Sequence, residues 1–208
     1  RGRLPAPKTA TNGRRFYTVE DLIAIREKLG IKMGKLPSER AVVIAVQNFK
    51  GGVSKSTTGK HLADYLALRG YRVLVVDCDP QASMSVMFDV NLEALVDETH
   101  TLSNFLSPRI DEADSLRKTI QKTAWPNIDI CPANLGLQDT EWELTATIEE
   151  GPTAIAGAFR MLRIGLEEVR HDYDVVILDP PPAMGFLGVP YKRGGNSERR
   201  TPRPKPEV

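Results

Sequence analysis

Four short apolar runs constrain the fold of this chain more than any other feature. They lie at residues 42–46, 73–76, 128–130 and 175–178 and consist mainly of Val, Ile and Leu. Such runs are typical of strands that helices cover on both faces. Helical patterns separate the runs, so we expect right-handed crossovers and a parallel sheet. The predicted fold class is therefore α/β.

Two helices are expected to pack against this sheet. The first follows the first strand and ends at Gly70, because glycine readily takes the left-handed conformation of a helix cap. The second begins at Pro152, since proline is favoured in the first turn of a helix. Its apolar stripe has helical spacing and consists of Ile155, Phe159, Leu162, Leu166 and Val169.

A further helix is predicted ahead of the first strand, within a basic N-terminal extension that covers residues 1–40. Thr18 is a good N-cap and Gly30 is a stop signal, which together predict a short helix over residues 18–29. The apolar face of this helix consists of Val19, Leu22, Ile23 and Leu29.

Composition narrows the class of protein. The 208 residues are 41% hydrophobic and 26% charged, which is typical of a soluble protein with a core. No apolar run approaches the roughly 18 residues of a membrane-spanning helix, so we expect no membrane protein. Cys78 and Cys131 lie within apolar runs, so we expect small core residues, neither a disulfide framework nor a zinc site, and a reducing cytoplasm.

The net charge of +1 conceals basic segments at both ends of the chain. Residues 1–15 hold five basic residues and no acidic one, and residues 188–208 hold six basic and two acidic residues. Such segments either bind polyanions or are solvated tails. Strand and helix signals vanish after residue 187, so residues 188–208 are predicted to be a disordered basic tail.

A glycine-rich segment directly follows the first strand, where residues 49–57 read FKGGVSKST. Paired glycines let backbone N–H groups cradle phosphate oxygens, and the N-terminus of the following helix adds partial positive charge. Lys55 is placed to reach the β- and γ-phosphates, and Ser56 to bind Mg²⁺. The predicted nucleotide-binding residues are Lys50, Gly51, Gly52, Val53, Ser54, Lys55, Ser56 and Thr57.

This segment departs from the ordinary phosphate-binding pattern G-x-x-x-x-G-K-[ST]. Phe49 and Ser54 occupy the two glycine positions of that pattern. The segment instead matches the deviant form that begins Lys-Gly-Gly, in which Lys50 stands five positions ahead of Lys55.

With this loop the chain resembles the ParA-type partition ATPases, in the deviant Walker branch with MinD, and especially the larger plasmid ParA and RepA proteins. Residues 73–83 are similar to the family's strand followed by D-x-D-P-Q, and residues 131–135 to its P-A-N-x-x-L segment. Residues 173–182 are similar to its Walker B strand ending in D-x-P-P. Residues 41–187 are therefore identified as the first half of a ParA-type ATPase domain, with a P-loop NTPase-like parallel sheet and helices on both faces.

The resemblance implies ATP and Mg²⁺ as ligands. Lys55 would bind the β- and γ-phosphates, and Ser56 and Asp179 would hold the metal. Lys50 and Asp79 are the implied catalytic residues. Asp79 would orient the attacking water, and Lys50 would reach the partner's phosphates across a nucleotide-bound homodimer.

The resemblance also implies a role in plasmid segregation. An ATP-dependent dimer would bind DNA, non-specifically or at an operator, and respond to a centromere-binding partition protein in the bacterial cytoplasm, on the nucleoid or plasmid. The helix at 18–29 resembles the start of a helix-turn-helix, but residues 31–40 are short for a recognition helix. A DNA-reading segment and a packing or dimerisation helix therefore stay open. The alternative functions are a transcriptional regulator of the partition operon without useful ATPase activity and a non-functional remnant.

The resemblance ends near Leu187, where the composition changes within a few residues. We interpret the chain as truncated or frameshifted there, with the sheet incomplete on its C-terminal side and open along its fourth strand. A genuine short regulatory tail is the alternative. The missing half would supply adenine contacts and dimer surface, so we expect weak or absent ATP hydrolysis.

Overall fold

The computed structural model describes residues 4–31, 34–36, 38–48, 50–91, 100–107, 115–140 and 153–182, without the side chains of residues 153–159. Residues 188–208 and Pro152 therefore lie outside the described residues. Within the described part, the chain begins with a two-stranded antiparallel hairpin and continues into a five-stranded sheet. In chain order the strands are β1 (Lys8–Thr9), β2 (Arg15–Phe16), β3 (Val42–Ala45), β4 (Val73–Asp77), β5 (Gln121–Lys122), β6 (Ile128–Cys131) and β7 (Val175–Asp179).

The large sheet has the order β3-β7-β4-β6-β5. The four strands that the apolar runs predict are all present and parallel, so the predicted α/β fold class is confirmed. The fifth strand, β5, was not expected. It pairs antiparallel with β6 and covers the edge of the sheet on that side.

The expectation that the fourth predicted strand forms the open edge of the sheet is wrong. That strand is β7, and it lies between β3 and β4 with parallel pairing to both. All five of its residues are buried. The edge instead belongs to β3, where Val42 is 60% exposed. The sheet order does not follow the chain order, because the crossover after β6 returns the chain to the middle of the sheet.

Alternate residues of the central strands pack on opposite faces of the sheet. On one face, Val73 and Val75 join the helices α2 (Lys55–Arg69) and α3 (Ser83–Met87). On the other face, Leu74 and Val76 join α4 (Leu102–Leu106), a short 3-10 helix (Leu116–Thr119) and α5 (Thr153–Val169). The chain therefore forms three layers, with a strand core that is buried from both sides.

The two helices predicted to pack against the sheet are present as α2 and α5. The helix α2 ends at Gly70, whose φ of 95° is the left-handed cap that the sequence predicts. The stripe of α5 is buried at Leu162, Leu166 and Val169, as predicted. The side chains of Ile155 and Phe159 lie outside the described residues. No helix in the described segments is long and apolar enough to cross a membrane.

The N-terminal extension contains a hairpin and one helix, α1 (Val19–Lys28). The N-cap at Thr18 is confirmed, and it forms a capping box with Asp21. No residue of α1 is fully buried, so its predicted apolar face is only partly covered. The hairpin was not predicted, since the basic composition of residues 1–15 suggested disorder. Residues 34–36 and 38–40 are not helical, so a second helix of a helix-turn-helix is not seen in this part of the chain.

Asp174, directly before β7, ties the extension to the sheet. Its carboxylate accepts hydrogen bonds from the backbone N–H groups of Lys35 at 3.2 Å and Arg72 at 2.7 Å. Gly34 has a φ of 102°, and a Cβ at that position would lie 2.7 Å from the carboxylate. Glycine is therefore required here, both by conformation and by the close approach of the carboxylate.

Candidate phosphate and metal site

The carboxyl ends of β3, β4, β6 and β7 lie along one edge of the sheet, because these strands run parallel. Three of the motifs found in the sequence follow directly from strand ends at this edge. They are the glycine-rich loop after β3, the segment that contains Asp79 after β4, and Asp179 as the last residue of β7. Ligands of open α/β sheets bind at this edge.

The glycine-rich loop contains two residues with left-handed backbone. Gly52 has a φ of 70°, which glycine adopts without steric cost. Ser54 is the N-cap of α2 and has φ 60° and ψ 34°. An L-residue at such a position carries a cost of about 1–2 kcal/mol. The departure from glycine at position 54 is therefore a local strain that the loop tolerates.

The loop leads into the first turn of α2, where Lys55 and Ser56 are half-buried and Thr57 is exposed. The Ser54 carbonyl accepts hydrogen bonds from the backbone N–H of Thr58 at 2.9 Å and from its hydroxyl at 2.8 Å, which fixes the start of the helix. Gly51, Gly52 and Val53 are exposed on the loop. The N-terminus of α2 therefore lies at the carboxyl edge of the sheet, where the N–H groups of a first helical turn can bind an anion.

Lys50, at the start of this loop, is exposed. Its backbone N–H donates to Asn48 Oδ1 at 3.0 Å. A lysine in this position is not engaged with the carboxylates of its own site, and its side chain extends into solvent. This placement is compatible with a contact made outside its own chain.

Asp179 is fully buried, and neither oxygen of its carboxylate has a hydrogen-bond partner among the described residues. Burial raises the pKa of this carboxyl, and the nearby Ser56 hydroxyl opposes the increase without reaching hydrogen-bond geometry. The charge of Asp79 raises the pKa further, and Lys55 lowers it. Ser56, Asp79 and Lys55 therefore all act on the Asp179 carboxylate at the carboxyl edge of the sheet.

An unpartnered buried carboxylate is costly unless a cation completes it. Ser56 and Asp179 offer the hard oxygen ligands that Mg²⁺ prefers, and Mg²⁺ commonly keeps several waters beside one or two protein ligands. The donor set at this point therefore fits a magnesium ion. Lys55, the first residue of α2, acts on the same carboxylate with the positive charge that phosphate oxygens require.

Asp79 is half-buried on the loop after β4. Its Oδ1 accepts a hydrogen bond from the backbone N–H of Gln81 at 3.0 Å, and its own N–H donates to Asp77 Oδ1 at 3.1 Å. The carboxylate is therefore oriented by the loop while it faces the same edge as Asp179.

Sequence reasoning did not assign a role to Asp77 or Ser85. Asp77 is fully buried, and its Oδ2 accepts hydrogen bonds from the Ser85 N–H at 2.8 Å and the Ser85 hydroxyl at 2.7 Å. Burial is the main reason why the pKa of Asp77 is raised to about 7, against the effect of these hydrogen bonds. The only signal for Ser85 in the sequence is a single hydroxyl within the apolar stretch 84–87.

Cys78 lies between the two aspartates and is 2% exposed. Burial raises the pKa of its thiol well above the ordinary value, and the charge of Asp77 adds to this effect. The thiol is therefore held in its neutral, unreactive form. The interpretation of Cys78 as a small core residue is confirmed.

Comparison with known proteins identifies the family. A sequence profile described as an AAA domain matches residues 41–190, which is more than half of the chain. The chain belongs to the ParA-type partition ATPases. Its relatives include the chromosome partitioning protein ParA of Caulobacter vibrioides, with 33% identity over 149 residues, 71% of this chain and 50% of the relative. A protein assigned as replication protein A in Sinorhizobium fredii is 39% identical over 199 residues, 90% of this chain and 48% of the relative.

Solved structures give the same picture of the fold. Cobyrinic acid a,c-diamide synthase from Mycobacterium smegmatis, with bound ATP analogue and magnesium, has a TM-score of 0.59 and 30% identity over 71% of this chain and 54% of that one. A plasmid partition protein from Borrelia burgdorferi has a TM-score of 0.56 and 25% identity over 71% of this chain and 59% of that one. The chain spans about half the length of the relatives that it matches.

Proposed function

We propose that this chain binds Mg²⁺–ATP at the carboxyl edge of its sheet, as the nucleotide-binding part of a partition-associated ATPase. The observation that carries the proposal is the unpartnered, fully buried carboxylate of Asp179 beside Lys55 and Ser56. No group of the described residues satisfies these oxygens. A metal ion with a phosphate ligand would satisfy them and Lys55 together.

Each site residue then has a specific task. The backbone of the loop from Lys50 to Thr57 and the N-terminus of α2 would hold the phosphates, with the Lys55 side chain on the β- and γ-phosphates. Ser56 and Asp179 would hold Mg²⁺, with Asp179 acting through water. Asp79 would orient the water that attacks the γ-phosphate, and Mg²⁺ would supply charge neutralisation at the phosphates.

The dimeric switch forms the finer part of the proposal. Lys50 is exposed, so it would be available to reach the phosphates bound by a second copy of the chain. Nucleotide binding would then drive dimerisation, DNA binding and a response to a centromere-binding partition protein. Because the chain spans about half of its relatives, we expect weak or absent turnover from these 208 residues alone.

A DNA-binding role without hydrolysis is the second candidate, and the N-terminal hairpin favours it. Lys8, Arg14 and Arg15 are exposed on this hairpin beside the partly exposed rings of Phe16 and Tyr17. Replacement of Arg14 and Arg15 by Ala should weaken duplex binding and reduce its salt dependence in fluorescence anisotropy. Arg163→Ala, an exposed charge on α5, is the matched control. If the Arg14 and Arg15 replacement and Arg163→Ala showed equal salt dependence, the hairpin would not be part of the DNA-binding surface.

Calorimetric titration with a non-hydrolysable ATP analogue and Mg²⁺ tests the nucleotide site. The Lys55→Ala variant should show no binding, because it loses the positive charge next to the phosphate cradle. The Lys50→Ala variant, which removes the same charge from the same loop, should bind like the wild type. Equal affinity in the wild type and in Lys55→Ala would refute the site.

A further inference from the structure

The loop that carries Asp79 is held at both ends by hydrogen bonds to one buried carboxylate, that of Asp77. Asp77, at the end of β4, accepts the backbone N–H of Asp79 on Oδ1 and the backbone N–H of Ser85 on Oδ2. One side chain thus binds both ends of the segment from Asp79 to Ser85. Buried hydrogen bonds to a carboxylate are stronger than those between neutral groups.

The hydroxyl of Ser85 extends this closure to the next strand end. It donates to Asp77 Oδ2 at 2.7 Å and accepts the backbone N–H of Ala133 at 3.1 Å. Ser85 is fully buried, and Ala133 follows the end of β6. A single oxygen therefore joins the Asp79 loop to the segment after β6.

The connection continues away from the phosphate site. Asn134, next to Ala133, accepts the Ser103 hydroxyl on its Oδ1 at 2.7 Å, and Ser103 is within 2.8 Å of the Thr101 hydroxyl. Thr101 is fully buried and Ser103 is 6% exposed. Buried polar groups in such a chain are costly unless all of them are satisfied, so the chain specifies one arrangement of these segments.

We propose that Ser85 is a positioning residue, which fixes the Asp79 loop against the 132–134 segment through its contacts with Asp77 and Ala133. The proposal rests on the proposed function in so far as Asp79 acts on a bound nucleotide. Ser85 itself is fully buried, and its link to Asp79 runs through the Asp77 carboxylate. A displacement of about 1 Å at an orienting carboxylate is enough to reduce a reaction rate by roughly a hundredfold.

Thiol labelling measures this positioning directly, because the two cysteines of the chain report on two separate places. Cys78 lies inside the Asp79 loop, and Cys131 ends β6 with its Sγ 2.9 Å from the Thr119 hydroxyl. Both thiols are buried in the folded protein. Opening of the loop alone exposes Cys78, whereas global unfolding exposes both.

The test compares the rates at which an aromatic disulfide reagent labels Cys78 and Cys131 in the full chain, with peptide mapping to separate the two sites. Ser85→Ala should raise the Cys78 rate by roughly tenfold and leave the Cys131 rate unchanged, because it removes one charge-assisted bond and one acceptor. The matched control is Thr119→Val, which removes a buried hydroxyl outside the loop. It should leave the Cys78 rate at the wild-type value.

Affinity for the Mg²⁺-bound ATP analogue is measured on the same samples. Ser85→Ala should retain wild-type affinity, since it touches neither the phosphate loop nor Asp179. An unchanged Cys78 rate, or an equal increase at both cysteines, would overturn the positioning role. Failure of the wild type to bind the analogue would instead refute the proposed nucleotide site, and the Cys78 rate would still decide the role of Ser85.

Discussion

The ends of β4 and β7 carry the same residue type in paired positions, yet the two carboxylates are treated in opposite ways. Asp77 and Asp179 are register partners on neighbouring parallel strands, and both are fully buried. Asp77 accepts three hydrogen bonds, from Asp79 and twice from Ser85. Asp179 accepts none within the described residues. Two aspartates on neighbouring strands therefore differ: the Asp77 carboxylate has hydrogen-bond partners, and the Asp179 carboxylate has none among the described residues.

This difference distinguishes a structural carboxylate from a ligand carboxylate. A satisfied buried group contributes to the stability of the loop around it, whereas an unsatisfied one reduces the stability of the apo protein. Buried carboxylates without hydrogen-bond partners are expected mainly at functional sites, where a bound ligand can supply the missing partner. Loss of the Asp77 side chain, which removes hydrogen-bond acceptors, should therefore destabilise the protein, whereas neutralising the Asp179 carboxylate should stabilise it.

The largest effect is expected from Asp77→Ala. The substitution leaves the buried N–H and hydroxyl of Ser85 and the partly buried N–H of Asp79 without their acceptor, so it should lower the free energy of unfolding by about 3 kcal/mol. Urea denaturation at neutral pH measures this loss. Asp139→Ala, at an exposed position of the same chain, is the control and should change stability little. A loss no larger than that of the control would show that the Asp77 hydrogen bonds contribute nothing.

The pH dependence of stability gives the second test. An unfolded Asp ionises near pH 4, whereas burial raises the pKa of folded Asp77 to about 7. Between these values the folded state holds the additional proton, so this group makes stability fall as pH rises from about 4 to about 7. The slope for one group is at most about 1.4 kcal/mol per pH unit. Urea denaturation across this range should give a smaller decline for Asp77→Asn, and an unchanged decline would contradict the shift.

A smaller effect of opposite sign is expected from Asp179→Asn. Without magnesium the substitution removes a buried charge that has no hydrogen-bond partner, so it should raise the free energy of unfolding by about 1 kcal/mol. Thermal denaturation in the presence of a chelator measures the change. A clear decrease in stability would mean that the Asp179 charge is already compensated in the apo protein.

The strands were predictable from the sequence, but their order in the sheet was not. Continuous Val and Ile runs identify buried strands from local composition alone, and all four runs form strands. The order of strands depends on contacts between distant segments, and the central place of β7 has no local signal. The N-terminal hairpin did have a local signal in the sequence, since Asn12-Gly13 is a strong turn signal between short strands. The basic composition of the segment obscured it.

The site divides in the same way. Lys55, Ser56, Asp79 and Asp179 follow from motifs at strand ends, because parallel strands bring such ends together. The contrast between Asp77 and Asp179 arises from Ser85, which lies eight residues beyond Asp77 on a short helix. Only the tertiary structure places that hydroxyl beside one aspartate and out of reach of the other.

The Mg²⁺ dependence of nucleotide binding tests the role of Asp179 most directly. Titration calorimetry with the non-hydrolysable ATP analogue, with and without Mg²⁺, would be carried out on the wild type, Asp179→Asn and the control Asp139→Asn. The wild type and the control should bind more tightly with Mg²⁺ if Asp179 completes the proposed metal site. Asp179→Asn should bind equally under both conditions, at the metal-free affinity. A full Mg²⁺ enhancement in Asp179→Asn would contradict the assignment of the unsatisfied carboxylate to a metal.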